Sequence, residues 1–259
     1  MTTSAKRRLD TADLEARVRE MYEQVALTPD HGFHFETGRA LAERLGYPAR
    51  DLDALPAQAI ESFAGVGYFL DLADIQRGEG VLDLGSGSGT DSFLAAIASG
   101  LAGRVIGVDM TSAQLAKASR LAAVAGFTNT EFREGYIERP PVENRSVDCV
   151  ISNGVINLSP DKPSVFRAAA TALRPGGRLA IADIVTAARL PEGVTCDASL
   201  WAACIGGAAQ RDEYLNTIRA AGFEIETVRE NDYRFVSDRA LGATATYGVT
   251  SISLLARLQ

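Results

Sequence analysis

Hydrophobic positions along this chain fall into two alternating rhythms. Short apolar runs at 80–84, 104–109, 130–134, 147–152, 178–185, 224–230 and 247–257 read as strands. Between them, helical spacing appears near 91–99, 112–125, 162–173 and 211–221. Strands alternating with helices predict an α/β fold, a doubly wound and mostly parallel seven-stranded sheet with helices on both faces. Punctuation at the element ends agrees. Thr111-Ser-Ala-Gln114 has the form of a capping box opening the second of these helices. Arg174-Pro-Gly-Gly177 reads as a helix stop and turn before the fifth strand, and Ala221-Gly222-Phe223 as the same before the sixth.

Two stretches stand outside the repeating unit. Residues 1–79 hold an amphipathic helix near 11–27, then His31-Gly-Phe-His34, then a helical stretch at 39–45. They predict an N-terminal helical cap or lid rather than a separate domain. Residues 186–210, rich in Ala and Gly and carrying the single tryptophan Trp201, read as an inserted lid segment within a ligand-binding domain at 80–259. Crevices of open α/β sheets lie beyond the carboxyl ends of the strands, and both additions reach there.

The first strand runs straight into Asp83-Leu-Gly85-Ser86-Gly87-Ser-Gly89, and a helix follows at once. Glycines at every second position permit positive φ and close approach of backbone to a ligand. The second strand ends in Asp109, at the spacing expected of a carboxylate that grips a ribose. A dinucleotide loop would space its third glycine one position later. The acidic Asp83 inside the loop would also repel phosphates, and it suits a ligand carrying an ammonium and a sulfonium. S-adenosylmethionine is such a ligand.

Composition narrows the partners and the compartment. At 259 residues and 46% hydrophobic, the chain can bury one sizeable core. A net charge of −7 argues against nucleic acid. Lys6-Arg7-Arg8 reads as a solvated tail, because an acidic helix rather than an apolar core follows it. No apolar run approaches membrane-spanning length. Three cysteines without paired spacing fit a reducing, cytoplasmic setting.

Taken together, Val81-Leu-Asp-Leu-Gly-Ser-Gly-Ser-Gly89, Val105-Ile-Gly-Val-Asp-Met-Thr111 and Phe132-Arg-Glu-Gly-Tyr-Ile-Glu138 resemble class I S-adenosylmethionine-dependent methyltransferases, with a Rossmann-like fold. Val155-Ile-Asn-Leu-Ser-Pro-Asp-Lys162, Leu173-Arg-Pro-Gly-Gly-Arg178 and Trp201-Ala-Ala-Cys-Ile-Gly-Gly-Ala208 narrow the resemblance to the arsenite methyltransferase family. It covers about 60–225, and more loosely 33–38. The resemblance implies that Asp83, Gly85, Ser86, Gly87 and Gly89 hold the methionine end of the cofactor and Asp109 the ribose. It places Met110 against the adenine face, Ile137 and Glu138 around the adenine, and Asn153 toward the sulfonium and amino-acid moiety. Read from their own types alone, Met110 and Ile137 also suit plain core, and Glu138 a helix cap or solvent.

The acceptor side departs from that family. Its members hold trivalent arsenic with cysteine thiolates, soft ligands for a soft centre. Where one family cysteine sits between two glycines, this chain has Gly65-Val66-Gly67, and where another follows the strand-four asparagine it has Gly154. Cys204 alone keeps sulfur. Cys149, in an apolar strand, reads as an inert core thiol. Cys196 lies eight residues before Cys204, about 12 Å along a helix axis if one helix spans both. A loop between them would let the two converge. Cys204 and His34 are the catalytic candidates, and His31 and Trp201 line the expected substrate side. His31 and His34 lack the companions of a metal site, so no metal is expected. The implied acceptor is a small molecule, arsenite or an organic nucleophile, with small thiols such as glutathione as exogenous partners. A cofactor-binding protein without turnover is the alternative of a different class.

Overall fold

The protein was analysed as a computed structural model, which describes residues 9–197, 200–201, 205–236 and 238–259. The strands are β1 (Gly80–Leu84), β2 (Arg104–Asp109), β3 (Thr130–Glu134) and β4 (Val147–Asn153). They continue with β5 (Leu173–Thr186), β6 (Ala209–Gln210), β7 (Phe223–Glu230) and β8 (Val249–Leu258). One sheet joins them in the order β3-β2-β1-β4-β5-β8-β7, and β6 pairs with β5 off this path. β8 alone runs antiparallel to its neighbours β5 and β7. The seven expected strands form the continuous path, and the two-residue β6 makes an eighth.

Chain order fixes where a ligand can enter. From β1 the chain winds outward through β2 and β3, then returns to the other side of β1 as β4 and β5. Helices leave in opposite directions at that switch point, so a crevice opens beyond the carboxyl ends of β1 and β4. Registers Leu84↔Val108 and Asp83↔Ile151 bring the ends of β1, β2 and β4 side by side.

Helices α6 (Thr90–Ser99) and α7 (Ser112–Ala125) follow β1 and β2. On the other side of the switch point come α8 (Lys162–Ala172) after β4 and α10 (Arg211–Ala220) after β6. Burial marks α6 as a central helix: eight of its ten residues are buried, including the polar Thr90, Asp91 and Ser92. The N-terminal region folds as α1 (Thr11–Leu27), α2 (Arg39–Arg44), α3 (Ala49–Leu52), α4 (Ala57–Glu61) and α5 (Leu70–Ala73). Asp10 caps α1 by accepting from the amides of Ala12 and Asp13. Leu14, Val18, Val25 and Ala26 form its buried stripe. The inserted segment contains α9 (Glu192–Thr195), and α11 (Asp238–Tyr247) precedes β8.

Three local expectations are corrected. The Thr111–Gln114 capping box does not form, because Gln114 is drawn into tertiary bonds: its amide donates to the Tyr22 carbonyl and accepts from Ser88 Oγ at 2.5 Å. β5 starts at Leu173 rather than 178, and Arg174-Pro-Gly-Gly177 is a bulge inside it, where register jumps from Val147↔Leu173 to Cys149↔Arg178. Residues 238–247 form a helix absent from the predicted elements, and the last strand starts at Val249 rather than 247.

Candidate active site

A cleft of about 780 Å³ opens beyond β1, β2 and β4, within the size range of small-molecule sites. Its floor is the glycine loop. Gly85 (φ 80°) leaves β1 with its Cα packed so closely on Val155 that any side chain would collide, and Gly87 (φ 51°) turns the loop under the cleft. Asp83, Gly85, Ser86 and Gly87 line the cleft. Gly89 does not. It is the residue before α6, at φ 95°, and a Cβ there would stand 2.9 Å from Phe93 and 3.0 Å from Phe132. Its lack of a side chain lets the helix start against those rings.

Asp109 ends β2 with its carboxylate in the cleft, accepting from the Gly87 amide at 2.9 Å and the Thr111 amide at 2.8 Å. Burial raises its pKa, and these amides pull the other way. Met110, Ile137 and Glu138 line the neighbouring wall. Glu138 is braced by the Ser159 hydroxyl, which donates to it.

Beneath the loop lies an unusual concentration of buried acid. Asp83 is 2% exposed and accepts a hydrogen bond from the Ser92 hydroxyl at 2.6 Å. Burial first, then the neighbouring carboxylates of Asp91 and Asp109, push its pKa to about 8. Asp91, in the first turn of α6, accepts from the Tyr47 hydroxyl at 2.6 Å and from Asn153 Nδ2 at 3.0 Å. Burial carries its pKa to about 6. Among the described residues, neither carboxylate has a cationic partner in hydrogen-bond or ion-pair range. Ser86 Oγ is likewise buried with no hydrogen-bond partner.

Asn153 ties this floor to the cap. Its Oδ1 accepts from the Val66 amide at 2.8 Å, and its Nδ2 also donates to Tyr47 at 2.9 Å and to the Gly67 carbonyl at 3.1 Å. Gly65 must be glycine here: a Cβ would lie 2.5 Å from the Asn153 amide. Helix α1 lies along the opposite rim. Arg19 donates to the Met110 carbonyl at 2.5 Å, and Tyr136 donates to Glu15 at 2.7 Å. Lys117 of α7 holds the Ala26 carbonyl at 2.9 Å, close to where α1 ends.

Sequence reasoning missed Asp91, Tyr47, Gln114, Glu15 and Tyr136. A carboxylate in the first turn of an apolar helix was a signal for Asp91. Tyr47 gave none, since the fold brings it from 44 positions away. The acceptor-side candidates fare differently. His31 is exposed and edges against Phe33, with ring centroids 5.6 Å apart. His34 packs edge-on against Phe35 at 4.8 Å. Neither histidine lines the cleft. Both belong to an aromatic cluster in which Phe35 stacks on Tyr22, and it is Tyr22 rather than either histidine that reaches the cleft. Trp201 is 7% exposed and also stands behind the cleft wall, its indole N–H donating to the Thr195 carbonyl at 2.7 Å. Cys204 lies outside the described residues. Cys149 is fully buried in β4 with its pKa pushed up to about 12, an inert thiol. No group of three or more metal-ligating side chains gathers among the described residues, and no helix there is long and apolar enough to cross a membrane.

The residues fit a cofactor that carries positive charge. Two buried, uncompensated carboxylates in a cleft wall disfavour a phosphate and favour a cation. Comparison with known proteins agrees. A family described as a methyltransferase domain matches residues 75–222. The arsenite methyltransferase of Halobacterium salinarum is 42% identical over 205 residues, 78% of this chain and 52% of that protein. The chain thus spans about half the length of the curated relatives it matches. Among solved structures, an arsenic(III) S-adenosylmethionine methyltransferase from Chlamydomonas reinhardtii is 33% identical with a TM-score of 0.64, covering 85% of this chain and 73% of that one. Geranyl diphosphate C-methyltransferase from Streptomyces coelicolor, 17% identical with a TM-score of 0.66 over 97% of this chain and 100% of that one, shares the fold.

Proposed function

The chain belongs to the methyltransferase-domain family, on the branch of the S-adenosylmethionine-dependent arsenite methyltransferases, and on that premise we propose that it methylates a small acceptor held at the mouth of this cleft. One observation carries the reading: the glycine loop, Asp109 and Asn153 converge on one cleft whose buried Asp83 and Asp91 face no cation among the described residues.

When bound, S-adenosylmethionine supplies a methyl group on positively charged sulfur, open to in-line attack by a lone pair. The chain's own residues do the rest. Asp109 accepts from the ribose hydroxyls, while Gly87 and Thr111 hold its carboxylate in place. Met110, Ile137 and Glu138 bound the adenine. Asp83 and Asp91 would stabilise positive charge at the methionine end, and Asn153 braces the backbone of Val66 and Gly67 behind the cleft. Helix α1 excludes water, which strengthens every one of these interactions. An acceptor that is already nucleophilic needs positioning more than acid–base help.

We further propose that the acceptor differs from arsenite bound by protein thiolates alone. Positions 66 and 154, where the resemblance puts family cysteines, are neighbours: a Cβ on Gly154 would stand 3.1 Å from a Val66 methyl. An apolar contact replaces a thiol pair there. Cys204, with Cys196 or an exogenous thiol such as glutathione, leaves a route for arsenite, and an organic oxygen, nitrogen, sulfur or carbon nucleophile is the second reading.

The test assays arsenite with and without glutathione beside a panel of phenol, amine, thiol and carbon-acid acceptors, using wild type and Cys204→Ser. Arsenite turnover that requires glutathione and falls in Cys204→Ser supports the first route. Turnover of an organic acceptor unchanged in that variant supports the second. Robust arsenite methylation without added thiol overturns the claim that positions 66 and 154 matter. Failure of S-adenosylhomocysteine to bind overturns the methyltransferase reading itself.

A further inference from the structure

Behind the cleft wall lies a second buried polar cluster that the proposed reaction does not use. The turn at Ile156–Leu158 joins β4 to α8, and Val155, Leu158, Ser159 and Pro160 of this stretch face the cleft. Lys162 opens α8, and its side chain turns back. Nζ donates to the carbonyls of Asn157 at 3.2 Å and Ser159 at 2.9 Å, and sits 5.0 Å from the centre of the Trp201 ring. Among the described residues no carboxylate lies within ion-pair range of this nitrogen. Asp183 of β5 and Glu138, after β3, are the acids that face it at longer range. Asp183 is itself held by the Tyr214 hydroxyl at 2.6 Å and by the Asn157 amide at 3.2 Å.

A buried ammonium without a carboxylate at contact is costly, and an apolar side chain would fill the same space at less cost. What the ammonium alone provides is a simultaneous grip on two carbonyls and one ring face. The ring belongs to a different stretch of chain, the insertion at 186–210. That insertion also packs tightly on the turn: a side chain at Gly207 would collide with the Asn157 carbonyl, and one at Gly206 with Trp201 itself.

We propose that Lys162 is a positioning residue, fastening the inserted segment through the face of Trp201 to the turn that walls the cleft. The inference rests on reading this cleft as the site of methyl transfer. Burial brings the Lys162 pKa down to about 8, so the fastening loosens in mildly alkaline solution. Asp183 and Glu138 oppose that loss by favouring the charged form.

Because Trp201 is the only tryptophan, its fluorescence reads the contact directly. The experiment measures acrylamide quenching and emission from pH 6.5 to 10 for wild type, Lys162→Met and Lys162→Arg. Wild type should show shielded emission at pH 7 and a transition with its midpoint near pH 8. Quenching should rise at least threefold in Lys162→Met. In Lys162→Arg the shielding should be retained and the alkaline transition should vanish, since arginine stays charged. Absence of the transition in wild type, or its persistence in Lys162→Arg, would overturn the proposal even if Lys162→Met failed to fold. Calorimetric binding of S-adenosylhomocysteine to wild type is measured alongside, and its loss would count against the methyltransferase reading and not against the fastening.

Discussion

Replacing Asp83 by asparagine should make the ligand-free protein more stable and its cofactor binding weaker. The carboxyl is 2% exposed, accepts from the Ser92 hydroxyl and has Asp91 and Asp109 as neighbours. Folding therefore raises its pKa from 3.8 to about 8. A group whose folded pKa is raised stabilises most below its unfolded pKa, and that contribution is lost as pH climbs through the folded value. The window here runs from about pH 4 to about pH 8. At pH 7 the unfolded carboxyl is ionised, whereas the folded one still holds its proton. Over roughly three pH units, at about 1.4 kcal/mol each, the cost is on the order of 4 kcal/mol. Asparagine keeps an oxygen for Ser92 and never ionises. Urea unfolding at pH 7.5 should show Asp83→Asn more stable by at least about 1 kcal/mol, with the gap narrowing toward pH 5. Titration with S-adenosylmethionine should show affinity at least about tenfold weaker, because asparagine cannot ionise as the Asp83 carboxyl can when a cationic ligand binds beside it. A variant less stable than wild type at pH 7.5, or a gap that stays constant with pH, would refute the linkage argument. Undiminished affinity would remove Asp83 from the charge-recognition role.

Two further outcomes follow from the same geometry. Asp109→Ala should weaken S-adenosylhomocysteine binding by about 1–3 kcal/mol, read by calorimetry, and an unchanged constant in a folded variant would take Asp109 out of the site. Hydrogen exchange in residues 11–27 should slow when S-adenosylhomocysteine binds, since Arg19, Glu15 and Gln114 tie α1 to the cleft rim; equal exchange with and without ligand would make α1 a fixed scaffold element.

What the sequence determined by itself was everything written in local pattern. Apolar runs alternating with helical stripes specify strands and helices because backbone geometry sets periods of two and 3.6 residues. The glycine loop and Asp109 were legible for a related reason: a strand that enters a tight turn needs glycine there, whatever surrounds it. Elements such as α1 (Thr11–Leu27) and α7 (Ser112–Ala125) match the expected 11–27 and 112–125 for that reason. Tertiary structure decided what depends on distant partners. Gln114 abandons its capping box because Tyr22 and Ser88 offer buried bonds that water cannot replace. His31 and His34, chemically suggestive in sequence, end in an aromatic cluster that reaches the cleft through Tyr22 and not through either imidazole. Tyr47, silent in sequence, reaches Asp91 and Asn153 beneath it. A residue type announces what it can bond, and only the packed chain sets which partners are within 3 Å and shielded from water, where a hydrogen bond or a charge changes a pKa.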